Sequence, residues 1–292
     1  MSKASPKQIN EVCSHQILSA SPSSLCVYNS FFTSKSNRSI NSNSLANLKD
    51  NSTKGLLSDS GAKNLRKAIG WLVLKRRKQL KCKRDDMPQV GRKLVFITLT
   101  LPSTQIHSDN QIKKELLNQF LIEISNKWKV RNYVWRAEKQ TNGSIHFHIL
   151  ADRYIPHLDV KLTWNRIVNK LGYVDRFVAK NGNKVPNSTD IHSLKSVKNI
   201  SAYVSKYMSK NEAVQGVDGR IWFASQELLA CENPKDDLDS ELSLELDKFV
   251  AKYKPHVICD EYYSIICQSI FSVNLDDFPR LAALVEVAEM QL

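Results

Sequence analysis

No window of the chain holds 18 consecutive apolar residues, which argues against a membrane-spanning helix. The N-terminus lacks the basic-then-apolar pattern of a secretory signal. The six cysteines (Cys13, Cys26, Cys82, Cys231, Cys259 and Cys267) contain no C-x-x-C pair. Their scatter argues against a zinc ribbon and a disulfide framework, and fits a reducing cytoplasm. A phosphate-binding loop of the form G-x-x-x-x-G-K-S/T is missing, so the chain has no recognisable helicase or ATPase motor. Internal repeats are missing too.

What is present is basic charge, unevenly placed. The 292 residues carry a net charge of +13. From Cys231 onward there are 5 Lys/Arg against 13 Asp/Glu, a net of −8, so residues 1–230 carry +21. Such a bias points to a polyanion partner, most simply nucleic acid. The length permits one large or two small domains.

Composition divides the chain into four stretches. Residues 1–60 read as a disordered arm: close to half of residues 19–60 are Ser or Asn, with no apolar period. Residues 61–92 read as a basic helix and linker. Between 62 and 84 there are ten Lys/Arg and no acid, with Leu65, Ile69, Leu72 and Leu80 near helical spacing. That pattern suits DNA phosphates, with Lys75, Arg76, Arg77 and Lys78 as contacts, although an anionic membrane surface would also accept it. Residues 93–230 hold the chemistry. Residues 231–292 form an acidic tail, expected to be helical.

Within residues 93–230, KLVFITLTL at 93–101 is a β-branched strand ended by Pro102 and apolar on both faces except at Thr98 and Thr100. These two threonines are expected as sheet or substrate-contact residues. Ser108-x-x-Gln111 caps a helix of about 20 residues whose buried face is Ile112, Leu116, Phe120, Ile124 and Trp128. A second helix spans 156–171 and closes at Gly172. Strand-like pieces follow at 173–178, 188–194 and 219–224.

The segment NYVWRAEKQTNGSIHFHILAD reads as a hairpin. Its second arm turns Ile145, Phe147 and Ile149 inward and places His146 and His148 together on the opposite face. A two-residue Asn-Gly turn would pair Glu138 with Phe147. A three-residue loop, Thr141-Asn142-Gly143 with Gly143 left-handed, pairs Glu138 with His146, and this is the expectation. Two imidazoles and a carboxylate then form a three-ligand set with open positions, which suits catalytic Mg2+ or Mn2+. An ion pair with Arg136, on the same face, is the competing role for Glu138.

The segment SVKNISAYVSKYMSK at 196–210 reads as an amphipathic helix. Val197, Ile200, Val204 and Met208 form its apolar seam, and Tyr203, Lys206, Tyr207 and Lys210 a neighbouring stripe. A tyrosine hydroxyl, with pKa near 10, attacks phosphate poorly unless a metal polarises the phosphoryl oxygen and a cation favours the phenolate. Lys206 and Lys210 are the candidate cations. Two tyrosines four residues apart allow two successive transesterifications at one metal site.

FITLTLP, HFHIL and YVSKYMSK, in this order, resemble the three motifs of rolling-circle replication initiators, the His-hydrophobic-His (HUH) endonucleases. YVSKY resembles their two-tyrosine branch, typified by initiators of small single-stranded DNA phages. TDIHSLK at 189–195 and RIWFAS at 220–225 are similar to further segments of phage-type initiators. The resemblance covers about residues 93–230. It implies an α+β fold, a central antiparallel sheet flanked by helices and related to the ferredoxin-like fold. It implies His146, His148 and Glu138 as metal ligands, with Asp190 and His192 near the site. It implies Tyr203 and Tyr207 as nucleophiles that form a 5′-phosphotyrosine link and free a 3′-OH. The implied partner is a single-stranded DNA origin, with a host helicase and polymerase supplying what the chain lacks, in the host bacterial cytoplasm if the chain is phage-encoded.

Rivals to this reading keep or discard the chemistry. A plasmid relaxase or transposase of the HUH class shares the metal pair and tyrosine. A non-catalytic DNA-binding protein would not need intact His146, His148, Tyr203 and Tyr207. An RNA-binding module on a ferredoxin-like sheet would favour exposed aromatics where this chain has His and Thr.

Overall fold

The computed structural model describes residues 14–31, 55–81, 94–194, 204, 208 and 216–292. The chain divides into two compact units, residues 51–231 and residues 1–50 together with 232–291. In chain order the first elements are β1 (Ser14–Ala20), β2 (Leu25–Phe31), α1 (Asp59–Lys81) and β3 (Val95–Leu99). A continuous helical run follows, from Asp109–Gln111 through the π-helical Ile112–Leu117 into α2 (Asn118–Trp128). Then come β4 (Tyr133–Lys139), β5 (Ile145–Ala151), α3 (His157–Val168), α4 (Tyr173–Asn181), β6 (Thr189–Ser193), β7 (Trp222–Ala224) and the short α5 (Gln226–Leu229). The last elements are β8 (Lys235–Asp237), α6 (Ser240–Tyr253), β9 (Val257–Cys259), β10 (Tyr263–Ile266) and α7 (Pro279–Glu289). The fold is α+β, with two five-stranded antiparallel sheets flanked by helices.

The larger unit holds the sheet β6-β3-β5-β4-β7, antiparallel at every pairing. Strand alternation sends Val95, Ile97, Leu99, Trp135, Phe147 and Ile149 to one face. There they meet Ile112, Leu116, Phe120 and Ile124 of the helical run and Val160, Trp164 and Ile167 of α3. Phe147 stands edge-on to both Trp135 and Trp164. Each fully buried apolar side chain here contributes about 1.5–3 kcal/mol. Ser108 caps the helical run by accepting from the Gln111 N–H, as the sequence predicts.

The hairpin between β4 and β5 has the three-residue loop. Glu138 pairs with His146 and Lys139 with Ile145. Beyond them the Gln140 N–H bonds the Ser144 carbonyl at 2.9 Å, and Gly143 sits at φ 78°. A left-handed residue there costs glycine little. The Asn142 side chain accepts from the Ser144 N–H and braces the turn.

Two sequence expectations are corrected in this unit. Residues 173–178 form the first part of helix α4, not a strand. Tyr173, Val174, Phe177 and Val178 fit a 3.6-residue period, whereas a strand would place a charge on each face. Helix α1 begins at Asp59 and is less amphipathic than its charge suggests, because every residue from Ala68 to Leu74 is buried. It packs against β4, β7 and α5.

The smaller unit corrects the sequence reading more deeply. The expected disordered arm over residues 1–60 contains the hairpin β1–β2, and the expected helical tail supplies three strands beside its two main helices. Together they build the sheet β8-β1-β2-β10-β9. Leu18, Ala20 and Leu25 pack with Leu242, Phe249, Ile266, Phe278 and Leu281. The partners of β1 and β2 lie more than 200 residues away, and Ser/Asn-rich composition does not register such pairing. Charge is used locally here: the Glu245 carboxylate, buried, accepts from the Arg280 and Leu281 N–H groups at the start of α7. The Arg280 side chain in turn holds Asp236 and Asp239.

Candidate metal centre

The second face of the larger sheet is polar. Register places Phe96, Thr98, Arg136, Glu138, His146 and His148 on it, alternating with the core residues already named. The Glu138 Oε2 lies 3.3 Å from His146 Nε2 and 3.4 Å from His148 Nε2. One ligand atom from each of the three residues falls within 4.8 Å of the others. Their side chains are 16–20% exposed, sheltered but open to a substrate. Among the described residues this is the one His/Cys/Asp/Glu cluster that could hold a metal ion.

The surroundings fix each group. The Thr98 hydroxyl lies 3.2 Å from His148 Nδ1, and Phe96 stacks on the His148 ring at 5.5 Å and 11°. His148 is therefore oriented from two sides, with Nε2 turned to Glu138. Arg136 reaches Glu138 Oε1 with Nη2 at 2.9 Å, so the carboxylate serves the ion pair and the imidazoles with different oxygens. Burial works to raise the Glu138 carboxyl, but its bonds to His146 and His148 and the Arg136 charge outweigh burial and hold it down at about 2. Glu138 is thus an anion at neutral pH. Two imidazoles and a carboxylate fit a hard or borderline divalent cation with free coordination positions.

Arg136 makes one further contact, with Nη1 donating to the main-chain carbonyl of Met208. Met208 and Val204 are both helical and fully buried, as expected for the apolar seam. Tyr203, Lys206, Tyr207 and Lys210 lie outside the described residues. Alternation along β4 places Arg136 beside Glu138; no sequence signal announces the Met208 carbonyl.

The other candidate residues fall away from the cluster. Asp190 and His192 occur on β6, 65% and 60% exposed, paired with each other at 2.8 Å. The Thr100 hydroxyl donates to the Ser188 carbonyl at 3.0 Å, a sheet-edge contact. In α1, Lys75 is ion-paired with Glu227 at 2.7 Å, Arg76 is buried, Lys78 is half-buried, and Arg77 faces solvent. The basic run is therefore partly committed within the fold, and Arg77 is its solvent-facing member.

An antiparallel sheet with one packed face and one carrying a His-x-His pair opposite a carboxylate defines a candidate metal-dependent site. Residues 94–212 match the family model for the replication-associated protein ORF2. No curated protein matches the chain. Among solved structures, the crystal structure of the hypothetical protein ORF119 from Sulfolobus islandicus rod-shaped virus 1 is similar at 18% identity. That alignment covers 51% of this chain and 95% of the viral chain, with a TM-score of 0.28. Among the described residues no helix is long and apolar enough to cross a membrane.

Proposed function

We propose that the chain is a replication initiator of the rolling-circle type, a metal-dependent endonuclease that nicks and rejoins single-stranded DNA at an origin. The observation that carries this reading is the cluster of Glu138, His146 and His148 inside the stretch that matches a replication-associated family. His146 and His148 would hold a Mg2+ or Mn2+ ion through Nε2, and Glu138 through a carboxylate oxygen. The ion, when bound, supplies Lewis-acid polarisation of the scissile phosphoryl oxygen.

The chain's own residues do the rest. With Nε2 ligating, His148 carries its proton on Nδ1 and donates it to the Thr98 hydroxyl, which fixes the ring. Met208, the residue after Tyr207, has its carbonyl on Arg136, which joins Glu138 on the same face. Tyr203 or Tyr207 attacks phosphorus; the new O–P bond forms as the P–O3′ bond breaks, and the 3′ oxygen leaves and takes a proton. Lys206 and Lys210 stabilise the phenolate. A second attack, by the other tyrosine or by a free 3′-OH, restores a phosphodiester and releases the protein.

A covalent-adduct assay tests this reading. Labelled single-stranded DNA from the cognate origin is incubated with the protein and Mn2+ and run on a denaturing gel. A metal-dependent labelled protein band, lost in the Tyr203→Phe, Tyr207→Phe double variant, is expected. DNA binding without an adduct on a verified origin would leave a DNA-binding protein and overturn the nicking mechanism.

A further inference from the structure

Arg136 is 3% exposed, yet it is charged and contacts two distant parts of the chain. Nη2 holds Glu138 Oε1 at 2.9 Å and Nη1 holds the Met208 carbonyl, 72 residues further along. Burying a guanidinium is costly, and packing alone would be served as well by an apolar side chain. Its planar fork offers what an apolar side chain or a lysine cannot: two donors in a fixed relative direction.

Resting on the reading of the previous subsection, we propose that Arg136 is a positioning residue. It couples occupancy of the Glu138, His146 and His148 site by a divalent cation to docking of the segment that carries Tyr203 and Tyr207. The two oxygens of Glu138 divide the work. Oε2 faces both imidazole Nε2 atoms, and Oε1 faces Arg136. A cation held by the three ligands fixes the carboxylate plane, the carboxylate fixes the guanidinium plane, and the guanidinium presents Nη1 to Met208. Met208 adjoins Tyr207 in sequence. Such coupling is reciprocal, so a docked segment also strengthens cation binding.

The test uses the full chain and two readouts that need no DNA. Calorimetry gives Mn2+ affinity, and hydrogen exchange gives protection of residues 200–212 with and without Mn2+. In the wild type, Mn2+ is expected to slow exchange in that segment by about 5-fold or more. In Arg136→Met, affinity falls about 10–100-fold and Mn2+ at saturation no longer slows exchange there. Arg136→Lys recovers part of the affinity but not the metal-dependent protection. A purely structural Arg136 would lower thermal stability while leaving both metal responses intact, and that result overturns the proposal. Should Arg136→Met fail to fold by circular dichroism, the wild type decides: bound Mn2+ without altered exchange in 200–212 overturns the coupling alone. Absence of Mn2+ binding by the wild type overturns the metal reading itself, and the coupling with it.

Discussion

The two faces of the larger sheet are built from the same strands in the same register, yet one is dry and the other is wet. Val95, Ile97, Phe147 and Ile149 are fully buried beneath helices. Thr98, His146 and His148 alternate with them and meet a carboxylate, a guanidinium and solvent. A period of two lets one strand serve stability and chemistry without compromise, because neighbouring residues never share a side. Substitutions one position apart should therefore fail in different ways.

His148→Ala should give the largest effect: metal-dependent nicking falls to background while thermal stability stays within a few degrees. Gel assay and calorimetry on one sample check it, and an active variant would remove the chemical role of that face. The neighbouring change Phe147→Ala should do the reverse. Losing a fully buried ring between Trp135 and Trp164 costs about 3–5 kcal/mol, read by denaturant unfolding. Thr98→Val keeps shape and removes the hydroxyl beside His148 Nδ1. Metal affinity should drop about 10-fold or more with little change in unfolding.

A smaller effect comes from the helical side. Asp109 is buried at the start of the helical run, where Lys139, Gln105 and the Asp218 N–H bind its carboxylate. Burial works to raise its pKa, but these bonds prevail and lower it below the usual 3.8. A depressed folded-state pKa contributes stability above the unfolded value and loses it as pH falls through the folded value. Asp109→Asn should accordingly cost about 1–3 kcal/mol at pH 7, and the difference from wild type should shrink below about pH 3.8. A pH-independent difference would contradict that sign.

The wet face is the more legible part of the sequence. The His146–His148 spacing, the turn residues 141–143 and the eight-residue interval to Glu138 are local, so strand geometry and turn chemistry suffice to pair them. The carboxylate's double duty is less legible: in sequence, an ion pair with Arg136 and ligation look like rivals, and the two oxygens of Glu138 accommodate both. The smaller unit is least legible. Its hairpin at 14–31 lies in Ser/Asn-rich sequence, and its strand partners at 235–237 and 263–266 come from a segment that charge marks only as acidic. Helix α4 is easily mistaken for a strand because Tyr173 to Val178 is a short apolar-rich run, where periods of two and 3.6 are hard to separate.

The most direct measurement is anomalous diffraction from crystals of the full chain soaked in Mn2+. The account predicts one peak between the Nε2 atoms of His146 and His148 and the Glu138 carboxylate, lost in Glu138→Gln crystals. A peak elsewhere, or none at a concentration that supports nicking, would contradict it.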